Sequence, residues 1–419
     1  MDDQEFSTRP VPADRQVAWW RVGLVSAMVS FSLPTFLTGA EVFLAMDNRD
    51  AIWAIVIGCS ILASLAALCG AIGTRTHLSS YMLTRIAFGH RGAAVANLAF
   101  AISLLGWFGV NIDLFGDAVV RLSRDALGVD MPVWIAEAVA GVLMTMTTIY
   151  GFRAINILSM WLVPAMILVT GVFLVSSLGQ RDWSATMAST DVSTLSFGHA
   201  VSAVVGGVIV GAVIMPDITR FIRGWRGALY TALLSYLVVQ VVVMTAGGLA
   251  ADLQGSGDLL EILLAAGLGW GAFVLVIAGS WVLNALNLYS AGLSVQASID
   301  APTLKLTLAL GVLGTLAAFL NILDRFLDFL FYLSIVFVPV AGVIVVDHFL
   351  ARPAAYQETY LDEVDAVSPT ALMAWAAGSG VALAGAGGWL TVSGIAALDA
   401  MVVSASLYLI LTRFRRSSV

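Results

Sequence analysis

Twelve runs of about twenty mostly apolar residues follow one another with almost nothing between them. A helix rises about 1.5 Å per residue, so roughly 20 apolar residues are needed to cross the ~30 Å hydrocarbon core of a bilayer. The runs fall at about 22–46, 52–73, 93–120, 133–150, 155–178, 198–219, 227–250, 266–296, 304–321, 327–350, 370–390 and 393–412. In lipid every backbone polar group must be satisfied within the chain, which makes the helix the natural spanning element for such runs. Composition agrees: 60% of the 419 residues are hydrophobic and only 11% charged, whereas soluble domains carry about 25% charged residues. No soluble domain fits between the runs. The expectation is an all-α polytopic membrane protein.

Charge placement gives the topology. With the amino terminus inside and the sides alternating across twelve helices, fifteen of the twenty Lys and Arg residues fall in the cytoplasm. Only Arg49, Arg121, Arg124, Arg181 and Arg325 fall outside. This is the bias of the positive-inside rule. It predicts a multi-pass protein of the cell inner (plasma) membrane with both termini cytoplasmic. Residues 1–21 read as a cytoplasmic tail rather than a signal peptide, because the start is acidic (Asp2, Asp3, Glu5) and has no apolar core. The segment 74–92 is too polar to span and reads as a short amphipathic helix lying on the membrane surface. Residues 351–369 read as a solvated cytoplasmic linker, 370–412 as two additional helices and 413–419 as a cytoplasmic tail. Cys59 and Cys69 share one apolar run, so no disulfide framework is expected.

Helix breakers and polar groups inside a span are costly unless they line a cavity, so they mark where to look for a site. Helix 1 carries Pro34 followed by Thr38-Gly39-Ala40-Glu41, a stretch able to unwind and offer bare carbonyls and amides. Helix 6 carries Gly206-Gly207, Val208, Gly211 and Pro216-Asp217. A kink or close helix packing explains each alone. Together they are more informative, because helices 1 and 6 head two successive groups of five, the pattern of an inverted-repeat transporter.

Helix 3 carries Gly106-Trp107-Phe108-Gly109, then Asn111 and Asp113. A Trp flanked by glycines offers a stacking face for a flat ligand, although core packing is the commoner fate of a Trp. An acid this deep in a span is a functional candidate by default. Helix 8 carries Asn284 and Asn287, three apart and so on one face. They are suited either to the edge of a heterocycle or to a hydrogen bond between helices. The four histidines do not pair at metal spacing within a span. Neither a metal nor a cofactor is called for, and an intramembrane enzyme is the weaker reading.

The chain resembles the nucleobase–cation symporter-1 family. The resemblance rests on Thr38-Gly39, Leu83-Thr84-Arg85-Ile86-Ala87-Phe88-Gly89, Gly106-Trp107-Phe108-Gly109, Asp217 with Arg220-Phe221, Trp281 with Asn284 and Leu288-Tyr289, and Pro339-Val340-Ala341-Gly342-Val343 with Asp347, in order along the whole length. It implies a leucine-transporter-type core, 22–350, of ten helices in a 5+5 inverted repeat, followed by the two additional helices. It also implies a planar ring held between aromatics of helices 3 and 6, with carboxamides and backbone of helices 1, 3, 6 and 8 reading its edge. On this chain the substrate-binding set is then Trp107, Gly39, Gly207, Val208, Asn111, Asn284 and Asn287. Two positions depart from the family pattern: Leu104 stands where a glutamine is expected, and Val208 where helix 6 carries its aromatic.

The function expected is a permease importing a nucleobase or related small heterocycle, such as cytosine, another pyrimidine or purine, hydantoin or hydroxymethylpyrimidine. It is expected to act as a monomer in the lipid bilayer, with no nucleic-acid partner. An amine or cationic solute is the alternative, motivated by Glu41 and Asp113. For coupling, sodium-coupled members of the fold use two helix 8 hydroxyls, and Val282 and Leu283 stand at those positions here. Neither can ligate a hard cation, which wants oxygen ligands. Proton coupling through Asp113, with Glu41 second, is therefore expected over sodium coupling, since membrane proton relays are built from such acids.

Overall fold

The computed structural model describes residues 10–150, 164–172, 174–175, 193–296, 298–299, 301–320 and 322–417. Within them the protein is helical throughout, and seven helices are long and apolar enough to cross a membrane: Asn48–Thr76, His90–Leu127, Phe197–Thr219, Trp225–Gln254, Trp270–Gln296, Ile322–Ala351 and Ala396–Arg415. The chain order is α1 (Trp19–Ser30), α2 (Leu33–Ala45), α3 (Asn48–Thr76), α4 (Ser80–Phe88), α5 (His90–Leu127), α6 (Val133–Tyr150) and α7 (Phe197–Val213). There follow the short α8 (Pro216–Thr219), then α9 (Trp225–Gln254), α10 (Leu259–Leu268), α11 (Trp270–Gln296), α12 (Thr303–Ala318), α13 (Phe326–Val346), α14 (Pro369–Ala386) and α15 (Ala396–Ser417). The run expected at 155–178 lies largely outside the described residues, with 164–172 helical. The other expected runs coincide with helices. One difference is that the run at 266–296 begins with a turn through Gly267 and Gly269, both at positive φ, and its helix starts at Trp270.

The first run is interrupted, but not where glycine and threonine suggested. Thr38-Gly39-Ala40-Glu41 stays helical within α2, and the break is at Phe31-Ser32, just before Leu33. Proline explains the placement. Its ring collides with the carbonyl four residues earlier in a continuous helix, and it has no N–H to bond that carbonyl. Four residues before Pro34 is Ser30, where α1 ends. In the first turn of α2 the missing N–H does no harm. Gly39 serves a different purpose: a Cβ there would lie 1.9 Å from the Met244 carbonyl oxygen, so α2 and α9 touch backbone to backbone. α7 is kinked at Val208 (φ −136°, ψ 19°). A Cβ on Gly206 would lie 1.6 Å from the Leu330 carbonyl oxygen, so α13 crosses α7 at the same level.

The segment expected as a helix on the membrane surface is instead built into the protein. α4 forms as expected, but Met82, Leu83, Ile86, Ala87 and Phe88 are covered by protein. Asp217 holds its first turn, accepting from the Ser80 amide at 2.7 Å and the Ser80 hydroxyl at 2.6 Å. The 351–369 linker is stitched to the α4–α5 corner: His90 N–H donates to Asp365 O at 3.0 Å, Arg91 N–H to Ala366 O at 2.6 Å, and Ser368 N–H to Phe88 O at 2.8 Å. Chain reversals need their backbone groups satisfied, and here each segment satisfies the other.

Candidate functional site

The two interrupted helices meet. A Cβ on Gly207 would lie 3.7 Å from Thr38 Oγ1, 3.7 Å from Leu330 Cδ1 and 4.0 Å from Met244 Cε, so this glycine faces α2, α13 and α9 at once. Thr38 donates its hydroxyl to Pro34 O at 2.8 Å. The half-buried Val208 and its non-helical backbone follow directly. Gly39, Gly207 and Val208 thus lie where α2, α7 and α9 pack together, with Gly39 in regular helix and the backbone irregularity confined to Val208.

Trp107 lies on α5, half-buried, with Phe329 at 5.4 Å and Phe326 at 5.9 Å, both T-shaped to it. Its flanking glycines admit protein and not ligand. A Cβ on Gly106 would lie 2.8 Å from the Phe329 ring, and one on Gly109 would lie 3.1 Å from the Ala317–Ala318 backbone. The start of α13 therefore touches Trp107 through Phe326 and Phe329, and the α7 glycines through Leu330.

The carboxamides differ in how much they have left to offer. Asn284 is fully buried and donates to Phe108 O at 2.9 Å and Met144 Sδ at 3.2 Å, tying α11 to α5 and α6. Its Oδ1 has no partner among the described residues. Asn111 donates to Trp107 O at 2.8 Å, one turn back on its own helix, and its Oδ1 is likewise unpartnered. Asn287, a turn beyond Asn284, is half-buried. Nearby, the Ser280 hydroxyl is buried without a partner, while Val282 packs with Ala285 and Leu286 and offers no oxygen from its side chain.

The acids form an array toward the end of α5. Asp113 is buried, and its carboxylate is within electrostatic reach of Glu137, Asp117 and Asp324. Asp113, Asp117 and Arg121 follow at one-turn spacing along α5. Arg121 is ion-paired with Asp258. The half-buried Glu41 sits beside the neighbouring Gly257, its Oε1 2.7 Å from where a Cβ would be. Among the described residues no group of three or more His, Cys, Asp and Glu is placed to hold a metal ion.

Two polar features lie outside the site residues expected from the sequence. One is an ion pair at the end of α13. Asp347 is fully buried, and Arg352 donates to it at 2.8 and 2.6 Å. Tyr356 and Tyr408 each donate to it at 2.9 Å, and Arg352 also reaches Ile86 O of α4 at 3.0 Å. Burial and the adjacent Asp347 push the Tyr356 hydroxyl well above the ordinary phenol range, so it remains a donor. The other is Gln240, the one carboxamide in the 227–250 run, fully buried with neither amide atom hydrogen-bonded among the described residues. The signal for it was available: a lone carboxamide in an apolar span.

Residues 10–407 match the family described as permease for cytosine/purines, uracil, thiamine, allantoin. The chain is 30% identical to the cytosine permease of Escherichia coli strain K12 over 412 residues, 98% of this chain and 94% of that one. It is 24% identical to the hydantoin permease of Microbacterium maritypicum over 214 residues, 51% of this chain and 40% of that one. In structure it is similar to the inward-facing conformation of Mhp1, with a TM-score of 0.85 at 17% identity, covering 98% of this chain and 94% of that one. Mhp1 in a closed conformation with bromovinylhydantoin bound, described as a nucleobase-cation-symport-1 family transporter, gives a TM-score of 0.78. The fold is thus that of a membrane transporter, and the chain belongs to the family of permeases for cytosine, purines, uracil, thiamine and allantoin.

Proposed function

We propose that this permease is a proton-coupled secondary transporter importing a nucleobase or related small heterocycle across the plasma membrane. The observation that carries the reading is the contact of α2, which follows the Phe31–Ser32 break, with α7, where Gly207 lies beside Thr38 and the Val208 kink adjoins. Helix interruptions near the middle of a bundle are how such transporters present backbone to a small solute. In this reading the twelve helices comprise a 5+5 repeat and two additional helices. Gly39, Gly207 and Val208 form the backbone wall, Trp107 the stacking face, and Asn111, Asn284 and Asn287 the edge readers. The free Oδ1 atoms of Asn111 and Asn284 leave acceptors available for that role. Phe326 and Phe329 of α13 flank Trp107, so a ring stacked on it would also lie beside α13. The relatives named for cytosine and hydantoin support a planar ring as cargo.

Asp113 is the proposed proton carrier, with Glu41 nearer the α9–α10 connection. The decisive experiment begins with a thermal-shift screen of purified protein against nucleobases, hydantoins, hydroxymethylpyrimidine and polyamines, since ligands stabilise by mass action. Uptake of the best ligand into proteoliposomes follows. A heterocycle that stabilises the protein and accumulates under an imposed pH gradient is the expected result. Accumulation driven by a sodium gradient and not by a pH gradient would refute the proton reading. The acid array around Asp113 favours one second reading, a cationic amine as cargo, and stabilisation by polyamines alone would establish it.

A further inference from the structure

Gln240 sits where α9 passes both interrupted helices. On the α7 side, Tyr236 hydroxyl lies 3.0 Å from the Cβ position of Gly211, and Met244 Cε lies 4.0 Å from that of Gly207. Gln240 falls one turn from each along α9, and so opposite the stretch that contains the Val208 kink. On the α1–α2 side, Ser30 donates to Ser235 O at 3.1 Å and Gly39 meets the Met244 backbone. The Phe31–Ser32 break therefore runs alongside the Ser235–Met244 stretch. A π-helical turn, Leu233–Val239, ends immediately before Gln240. Such turns occur mostly as single insertions and often at functional sites.

A carboxamide offers two donors and an acceptor with two lone pairs. Gln240 is 0% exposed, and both Nε2 and Oε1 lack a partner among the described residues. Buried polar groups are nearly always satisfied, because one left unmet destabilises the protein. A carboxamide kept at the junction of two interrupted helices is therefore matched to something that arrives there.

We propose that Gln240 is a substrate-binding and specificity-determining residue, whose carboxamide pairs with a neighbouring donor and acceptor on the ligand ring, as in a cyclic amide or amidine edge. This rests on the reading of the protein as a heterocycle transporter and extends it to α9. The pairing is bidentate, so it discriminates more than it attracts: a ring methylated at the donor nitrogen leaves one amide atom unmet. Helix 3 supplies no competing carboxamide one turn before Trp107, where Leu104 stands.

The test compares wild type, Gln240→Leu and Gln240→Glu in full-length purified protein and in proteoliposomes. The probe is whichever heterocycle stabilises and is transported by wild type, together with its N-methylated analogue. If wild type responds to no heterocycle, the transport reading itself fails, and the result is distinct from any failure of Gln240. Gln240→Leu is expected to bind the parent ring about tenfold or more weakly, as the loss of a ligand hydrogen bond requires. It should lose most of the preference for the parent over the methylated ring, and should melt without ligand at the wild-type temperature or above. Gln240→Glu keeps the shape and loses the amide donors, and should show the same loss of preference should the leucine variant fail to fold. Wild-type affinity and preference in either variant would overturn the proposal. So would a ligand-free melting temperature in Gln240→Leu well below wild type, which would show that the amide is satisfied within the protein.

Discussion

Asp347 and Gln240 are both fully buried polar side chains in apolar helices, yet they are treated in opposite ways. Every oxygen of Asp347 is engaged, by Arg352, Tyr356 and Tyr408. The amide of Gln240 engages nothing among the described residues, and Asn284, Asn111 and Ser280 each keep one polar atom idle. A closed network fixes the elements it touches, and the Asp347 network joins the end of α13 to α4, α15 and the following linker. An open one awaits a partner. On the proposed reading, the first belongs to the scaffold and the second to the site.

The largest effect is expected where the closed network is broken. Arg352→Ala leaves Asp347 buried and unpaired, which costs about 3–5 kcal/mol. A fall in melting temperature far larger than for any idle polar group, followed by fluorescence during heating, is the expected outcome; a wild-type melting curve would erase the contrast. Next is Trp107→Ala, expected to weaken ligand binding by about 1–3 kcal/mol through lost stacking. Trp107→Phe keeps an aromatic ring against Phe326 and Phe329, and should retain more of both stability and affinity. Equal affinity in wild type and both variants, measured by equilibrium binding, would make Trp107 a packing residue only.

Asp113→Asn should abolish accumulation driven by a pH gradient, which is worth about 1.4 kcal/mol or tenfold per pH unit, while exchange of labelled for unlabelled substrate persists. Retained pH-driven accumulation would acquit this residue. The smallest effects sharpen the division within one helix. Asn284→Ala removes the tie from α11 to Phe108 and should lower stability by about 1 kcal/mol. Asn287→Ala should leave melting unchanged and alter substrate preference. Normal transport and selectivity in both variants would remove helix 8 carboxamides from the site.

Much of the architecture was legible in the chain. Apolar runs of about twenty residues become helices because a helix satisfies its own backbone in lipid, a local requirement that a sequence displays openly. Pro34 likewise announces a break, although the steric clash acts one turn earlier, at Phe31-Ser32, and leaves Thr38-Gly39 helical. The expected site residues were less evenly legible. Gly207 and Val208 do mark an irregular stretch of α7, whereas Gly106 and Gly109 make room for Phe329 and α12. Nothing in the local pattern distinguishes a glycine that exposes a tryptophan from one that admits another helix.

The amino-acid order alone displays the helices, the bilayer as their solvent and the family of permeases to which they belong. Packing adds that α4 and the 351–369 segment are stitched together, that Asn284 donates to Phe108, and that Gln240 has no partner among the described residues. The physical reason is that lipid and protein interior are both apolar. A helix facing either reads much the same, so the periodic contrast that reveals the buried face of a soluble helix is largely absent. Which polar group finds a partner then depends on neighbours far away in sequence, and only their packing discloses it.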